Sequence, residues 1–261
     1  MVKVEQHTLF TDVERHGPGA TISVRDLKAK TPLVGLGTLI VDGTPLVDEI
    51  TILNGEIYKT DVHGVTRPAS EDDVLYFEQA VITDDNSEIA DISIKTPFFE
   101  ASSREDLQEK LLSFIDGDDR FSGAKAYGVY LQGTASTKMR SVDSRRIVEQ
   151  TGMPAQNLQE TVATQEILYD GKSVSGLFRF PGIIVSEEAG LAPEKNPSHL
   201  GLHIHGLGVE DGSRALKDSF DYGGHILDLE NFKGRARIYP IEDVSDTGWH
   251  VYENGLPKTS P

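Results

Sequence analysis

The chain has 261 residues, of which 38% are hydrophobic and 26% are charged, and its formal net charge is -17. This composition is typical of a globular protein with one large or two small domains, and the negative charge argues against binding to nucleic acid or anionic membranes. Cysteine is absent, which excludes disulfides and thiolate metal sites and leaves His, Asp and Glu as the strong metal ligands.

The first half of the chain predicts an antiparallel sheet followed by one helix. Residues 34–59 contain two β-branched runs around Asn54 and Gly55, which form the preferred two-residue hairpin turn. Residues 102–105 read SSRE, which is typical of a capping box. Apolar residues at helical spacing follow this start, namely Leu107, Leu111, Phe114 and Ile115.

The second half returns to short strand patterns with breaks that contain glycine, among them AYGVYLQG, SGLFRFPGIIV, LGLHIHGL and GGHILDLE. Such a succession predicts a second antiparallel sheet or a partly closed barrel. We therefore place a domain boundary near residue 123, between domains of residues 1–123 and 124–261. The predicted fold class is α+β, with two mainly antiparallel, sheet-like or barrel-like subdomains and few helices. The polar tail after Ile241 is predicted to be a surface arm.

Three histidines in the second half have the spacing of a metal site. His203 and His205 are separated by one residue, so on a strand both side chains project to the same face. His225 begins another apolar strand behind two glycines, which allow close backbone approach. Three imidazoles with an open fourth position are the ligand set of a catalytic zinc site.

Most histidines in proteins bind no metal, and a lone histidine here would be interpreted as an ordinary core or surface residue. The remaining histidines fit that interpretation, because they lie in polar surroundings. His199 is close enough in sequence to support a ligand, but a position on a surface loop is favoured. The others are His7, His16, His63 and His250.

Along residues 8–241, the chain resembles acetolactate decarboxylases. The resemblance is carried by the segments GLGTLIVDG, DEITILNGEIYK, AYGVYLQGT, GLHIHGL and GGHILDLE, in that order and spacing. It implies a two-domain α+β protein, usually dimeric, that binds zinc through three histidines and converts 2-acetolactate into acetoin and carbon dioxide. It assigns the zinc ligands to His203, His205 and His225 and a catalytic glutamate to Glu49.

Two differences from the family put the exact reaction in question. The family arginine that binds the substrate carboxylate is assigned to Tyr130, which has no charge, so Arg140 or the Tyr130 hydroxyl would have to serve. The family's second glutamate has only Glu253 as a stand-in, because the tail here is short and dissimilar. Residues 210–222 also form an insertion near the mouth of the site. We therefore expect weak activity on acetolactate itself.

The resemblance implies decarboxylation of a 2-hydroxy-3-keto acid through a metal-bound enediolate, with protonated Glu49 as the proton donor. Three alternatives remain open: an isomerase or cyclase acting on a different ketol, a cupin-type oxygenase with Glu210 as a fourth ligand, and a non-catalytic descendant. The expected partner is a small keto acid or ketol and a second copy of the chain. Because no apolar run approaches ~20 residues, we expect a cytoplasmic protein.

Overall fold

The computed structural model describes residues 2–7, 22–83, 92–124, 126–152, 173–185, 201–209, 220–241, 252–253 and 256–257. Within these ranges the chain is mainly antiparallel β-structure in two sheets, with three α-helices and one short 3-10 helix. The fold class predicted from the sequence is thereby confirmed. No helix in the described ranges is long and apolar enough to cross a membrane.

The first sheet has seven strands, all paired antiparallel. Its strand order is β1-β7-β3-β4-β5-β6, and β2 pairs with β7. Asn54 and Gly55 both have positive φ, which is the conformation of the predicted tight hairpin turn. The strands are β1 (Val2–His7), β2 (Ile22–Ser23), β3 (Pro32–Val41), β4 (Thr44–Leu53), β5 (Glu56–Thr60), β6 (Thr66–Pro68) and β7 (Val74–Thr83), and helix α1 (Val24–Ala29) follows β2.

The second sheet has six strands, and four of them pair in a closed ring. The strands are β8 (Ile94–Lys95), β9 (Phe99–Ala101), β10 (Ala126–Arg140), β11 (Val174–Val185), β12 (Gly201–Val209) and β13 (Tyr222–Ile241). β10 pairs with β11 and β13, and β12 pairs with both of these strands. The 20-residue β13 also pairs with β8 and β9. The predicted second antiparallel sheet is therefore present.

Helix α2 (Arg104–Asp116) packs into the core of this second sheet. Its buried residues Leu107, Leu111 and Ile115 share a cluster with aromatic side chains of β11 and β13. The helix begins one residue later than the predicted capping box, because Ser103 is the N-cap and accepts the Asp106 N–H. The 3-10 helix (Asp119–Phe121) follows, and α3 (Ser144–Thr151) comes after β10.

The two sheets meet through an apolar contact that contains Leu53 and Tyr58 from the first sheet and Tyr130 and Leu207 from the second. β8, β9 and α2 all associate with the second sheet, although they precede residue 123. A domain boundary near residue 123 stays a prediction. Most of the tail predicted to be a surface arm lies outside the described residues, apart from the paired strands β14 (Tyr252–Glu253) and β15 (Leu256–Pro257).

Candidate metal centre

His203 and His205 lie on the side of β12 that faces the first sheet. Ile204 between them is fully buried in the core of the second sheet. His203 is 7% exposed and His205 is 2% exposed, so both imidazoles are withdrawn from solvent. The strand geometry therefore directs both side chains to one place, as the alternation of faces predicts.

His225 reaches the same place because β12 and β13 pair in a register that sets it directly opposite His205. The glycines before it permit this approach. A Cβ atom on Gly223 would lie 2.8 Å from the Gly206 carbonyl oxygen and 2.8 Å from Thr66 Oγ1, and Gly224 has φ of +140°. Any larger side chain at residue 223 would force the two strands apart.

The donor atoms of the three histidines lie within 4.8 Å of one another. His203 Nε2 and His225 Nδ1 are 3.1 Å apart. Tetrahedral zinc with Zn–N bonds of about 2.0–2.1 Å requires nitrogen atoms about 3.3 Å apart, so this separation fits such an ion. The three residues therefore have the donor type that a zinc site needs, and His203 and His225 also have the nitrogen spacing of a tetrahedral site.

The protonation states also fit a metal site, because a metal binds the neutral imidazole. The pKa of His205 is lowered to about 3, mainly by burial; a hydrogen bond to the Ile50 backbone opposes this shift, and the charge of Arg140 adds to it. Burial likewise lowers the pKa of His225 well below its ordinary value, with further contributions from His203 and Arg140. Both rings are neutral at physiological pH.

Strand β4 of the first sheet supports His205 from the other side. Thr51 Oγ1 is 3.4 Å from His205 Nδ1, while His205 Nε2 is 3.7 Å from Glu49 Oε2. A hydrogen-bond partner at one ring nitrogen fixes the tautomer and orientation of a ligand histidine. Thr51 has this position, and the remaining nitrogen is directed towards Glu49.

Glu49 reaches the histidines because β4 contains a bulge at Asp48. Thr38 pairs with Glu49 and Leu39 with Val47, so Asp48 is the extra residue, and its φ is +55°. Glu49 is only 4% exposed. Burial raises its pKa to about 7, although Arg140 opposes that effect. Near neutral pH a large fraction of Glu49 is therefore protonated and available as an acid.

Arg140 is the last residue of β10 and pairs with His225 across the β10–β13 ladder. Residues directly opposite each other on paired strands project to the same face, so Arg140 lies on the face of His225, and its charge lowers the pKa values of Glu49, His205 and His225. The next residues attach this end of β10 to the first sheet: the Ser141 hydroxyl donates to the Thr60 carbonyl at 2.5 Å, and the Asp48 N–H donates to the Val142 carbonyl at 2.9 Å.

Tyr130, the position assigned to the family arginine, is placed elsewhere. It lies in the apolar contact between the sheets, and within the described residues no hydrogen bond or ring contact joins it to a histidine. The guanidinium carbon of Arg237 is 5.9 Å from its ring centre, and the charges of Arg179 and Arg237 counteract the rise in its pKa that burial causes. These two arginines were not predicted, because only the strand register brings them to Tyr130.

Several other predicted residues lie outside the described part of the chain. They include His199, the alternative ligand Glu210 and most of the 210–222 insertion. Glu253 is in β14, but its side chain is not described. His63 lies on a turn near Arg146, with its Nε2 atom 3.3 Å from an arginine nitrogen, and is not part of the histidine cluster.

The sequence matches no family model and, at a significant level, no curated protein. Solved structures do resemble it. Acetolactate decarboxylase of Bacillus subtilis strain 168 has a TM-score of 0.56 at 16% identity, covering 97% of this chain and 94% of that one. A Staphylococcus aureus protein of unknown function, itself described as similar to α-acetolactate decarboxylase, has a TM-score of 0.56 at 18% identity and covers 92% and 86%.

A third similar structure is acetolactate decarboxylase of Bacillus subtilis subspecies spizizenii, with a TM-score of 0.55 at 16% identity over 91% of this chain and 86% of that one. At such identities the similarity concerns the fold. The similarity extends over both sheets. It confirms, for the fold, the resemblance inferred from the sequence motifs. The chain therefore has the fold of acetolactate decarboxylase, with three histidines, a glutamate and an arginine gathered where its two sheets meet.

Proposed function

We propose that the chain is a zinc-dependent carbon–carbon lyase of the acetolactate decarboxylase type, acting on 2-acetolactate or a closely related 2-hydroxy-3-keto acid. The observation that carries the proposal is the convergence of three histidines, Glu49 and Arg140 at one buried place in this fold. Zinc would be held by His203, His205 and His225. A homodimer and a cytoplasmic location accompany the proposal as predictions from the sequence.

When bound, zinc supplies a Lewis acid that stabilises negative charge on the ketone and hydroxyl oxygens of such a substrate. Arg140 offers a cation beside the histidines for the substrate carboxylate, which removes the need for an arginine at residue 130. The expectation of weak activity on acetolactate rested on Tyr130, and Arg140 is the better candidate for carboxylate binding. We therefore propose that acetolactate is accepted.

Glu49 completes the reaction by supplying a proton. Loss of carbon dioxide leaves an electron pair on the carbon that held the carboxylate, and that carbon must gain a proton to give the hydroxyketone product. Glu49 is buried beside His205 and its pKa is raised to about 7, so it holds a proton to donate near neutral pH. Its fixed place on β4 would deliver the proton to one face and so set the stereochemistry.

The decisive test is to incubate the zinc-loaded protein with 2-acetolactate while measuring carbon dioxide and the hydroxyketone product. Stoichiometric release of both supports the proposal. A ketol product without carbon dioxide would favour the isomerase or cyclase alternative. Consumption of dioxygen would favour an oxygenase. Zinc binding without turnover of any keto acid or ketol would leave a non-catalytic binding protein and would contradict the proposal.

Variants test the two assigned roles separately. Glu49→Gln should keep zinc and lower the turnover rate about 10²–10⁴-fold, the usual contribution of a general acid. Arg140→Gln should raise KM about 10-fold or more, because a hydrogen bond to a charged group is worth about 1.5–3 kcal/mol. Arg237→Gln is the matched control, because it removes an arginine beside Tyr130 instead. A larger rise in KM for Arg237→Gln than for Arg140→Gln would reassign the carboxylate site.

A further inference from the structure

Within the described ranges, the first part of β12, residues 201–204, has no strand neighbour on the edge where the rest of β12 pairs with β13. Pairing of β12 with β13 runs from Gly208 opposite Tyr222 to His205 opposite His225. Among the described residues, no pairing of residues 201–204 with β13 continues beyond that point, whereas β13 goes on alongside β10. On its other edge, this part of β12 is held by β11, where Ile183 pairs with His203.

Two side chains of α2 occupy the open edge. Gln108 Oε1 accepts the Leu202 N–H at 2.9 Å, and Arg104 Nη2 donates to the Leu202 carbonyl at 2.7 Å. A neighbouring antiparallel strand would form the same two hydrogen bonds with Leu202. It would accept the Leu202 N–H and donate to the Leu202 carbonyl. Gln108 and Arg104 therefore take the place of a neighbouring strand at Leu202. The Leu202 carbonyl is part of the peptide bond that joins Leu202 to His203.

Arg104 and Gln108 are partly buried and lie in line with buried apolar residues of α2. Arg104, Gln108, Leu111 and Ile115 follow one another at spacings of four, three and four residues, which is the spacing of a buried helical stripe. The last two members are buried, and apolar residues at the first two would extend the same stripe. The two polar side chains instead provide the donor and the acceptor that Leu202 requires.

Arg104 is also electrostatically unfavourable where it lies. Burial lowers its pKa, with opposing contributions from Glu105 and Asp228, and its charge contributes to the low pKa of His225. The hydrogen bond to Leu202 and the charges of Glu105 and Asp228 offset the cost of burying the guanidinium group.

We propose that Arg104 and Gln108 are positioning residues that hold His203 in the geometry needed to bind the metal. This inference rests on the proposed zinc site, because His203 is one of its three ligands. Without the two bonds, the 201–204 part of β12 is fixed along one edge only, and His203 loses its set distance from His225. Partners that orient ligands typically change metal affinity about 10–100-fold when they are removed.

The test compares zinc affinity, measured by competition with a chromophoric chelator, among variants of one helix. Arg104→Met and Gln108→Asn should each weaken zinc binding about 10–100-fold. Gln108→Asn keeps a polar amide side chain, so this variant should still fold. Its side chain is one methylene shorter and does not reach the Leu202 N–H. Gln108→Glu retains an acceptor oxygen on a side chain of the original length. Its zinc affinity should therefore be close to that of the unmodified protein.

Lys110→Met is the matched control. Lys110 Nζ also donates to a backbone carbonyl from the same helix, that of Glu100 at 2.7 Å, but on β9 instead of β12. Its loss should leave zinc affinity unchanged. Equal weakening by Lys110→Met, or unchanged affinity in both Arg104→Met and Gln108→Asn, overturns the proposal.

Amide hydrogen exchange of Leu202 in the metal-free protein separates this inference from the proposed function. If the unmodified protein binds no zinc, the proposed function fails by itself, and the exchange measurement still tests the two hydrogen bonds. The Leu202 amide should exchange at least about 10-fold faster in Gln108→Asn than in Lys110→Met or the unmodified protein. Unchanged protection in Gln108→Asn would show that Gln108 does not hold the strand.

Discussion

The bulge residue Asp48 provides a quantitative prediction about stability and pH. Asp48 is 7% exposed, and burial raises its pKa from 3.8 to about 6, against the opposing charge of Arg67. A raised carboxyl pKa means that the folded protein prefers the protonated acid, so ionisation is destabilising. The cost is absent below about pH 4, grows between about pH 4 and 6, and is constant at higher pH.

Each pH unit between folded and unfolded pKa values corresponds to about 1.36 kcal/mol, so the cost of ionised Asp48 reaches about 3 kcal/mol at pH 7.5. Asp48→Asn removes the charge, retains the shape and tolerates φ of +55°. The lost partner, Arg67, is 3.8 Å away and half exposed, so that pair contributes little. We expect Asp48→Asn to raise the free energy of unfolding by up to about 3 kcal/mol at pH 7.5 and to leave it unchanged at pH 4.

The assay is urea unfolding at both pH values in the presence of a chelator, so that metal binding makes no contribution. Asp143→Asn is a control of opposite sign. Burial tends to raise the pKa of Asp143, but its hydrogen bonds with Arg145 prevail and the pKa is lowered, so this variant should destabilise the protein at pH 7.5. An equal effect of Asp48→Asn at both pH values, or destabilisation at pH 7.5, would refute the reasoning.

Two further predictions concern the metal centre. Zinc at 100 times its Kd should raise the free energy of unfolding of the unmodified protein by about 2.7 kcal/mol, and His205→Ala should abolish most of this gain. If zinc still shifts the Tm of a protein in which all three histidines are replaced by Ala, the proposed site is excluded. Gly223→Ala should lower both Tm and zinc affinity, because the new Cβ meets the Gly206 carbonyl at 2.8 Å and overpacking costs about 1–3 kcal/mol. Unaltered Tm and affinity would mean that β12 and β13 separate without cost.

The sequence by itself determined the features that depend on near neighbours in the chain. The hairpin turn at Asn54 and Gly55 follows from the positive φ that these two residues accept, and α2 follows from its serine start and apolar spacing. The shared direction of His203 and His205 needs only the alternation of faces along a strand. Each of these results is contained within a few consecutive residues.

Tertiary structure decided which distant residues join them. His225 lies opposite His205 through the β12–β13 register, and Arg140, not Tyr130, lies beside His225 through the β10–β13 register. The bulge at Asp48 decides where Glu49 points, because one extra residue in a strand exchanges its two faces. Register and bulges arise from packing between strands that are far apart in the chain, so no local sequence pattern predicts them. The hydrogen bonds from Arg104 and Gln108 to Leu202 likewise join residues more than 90 positions apart and depend on the packing of α2 against β12.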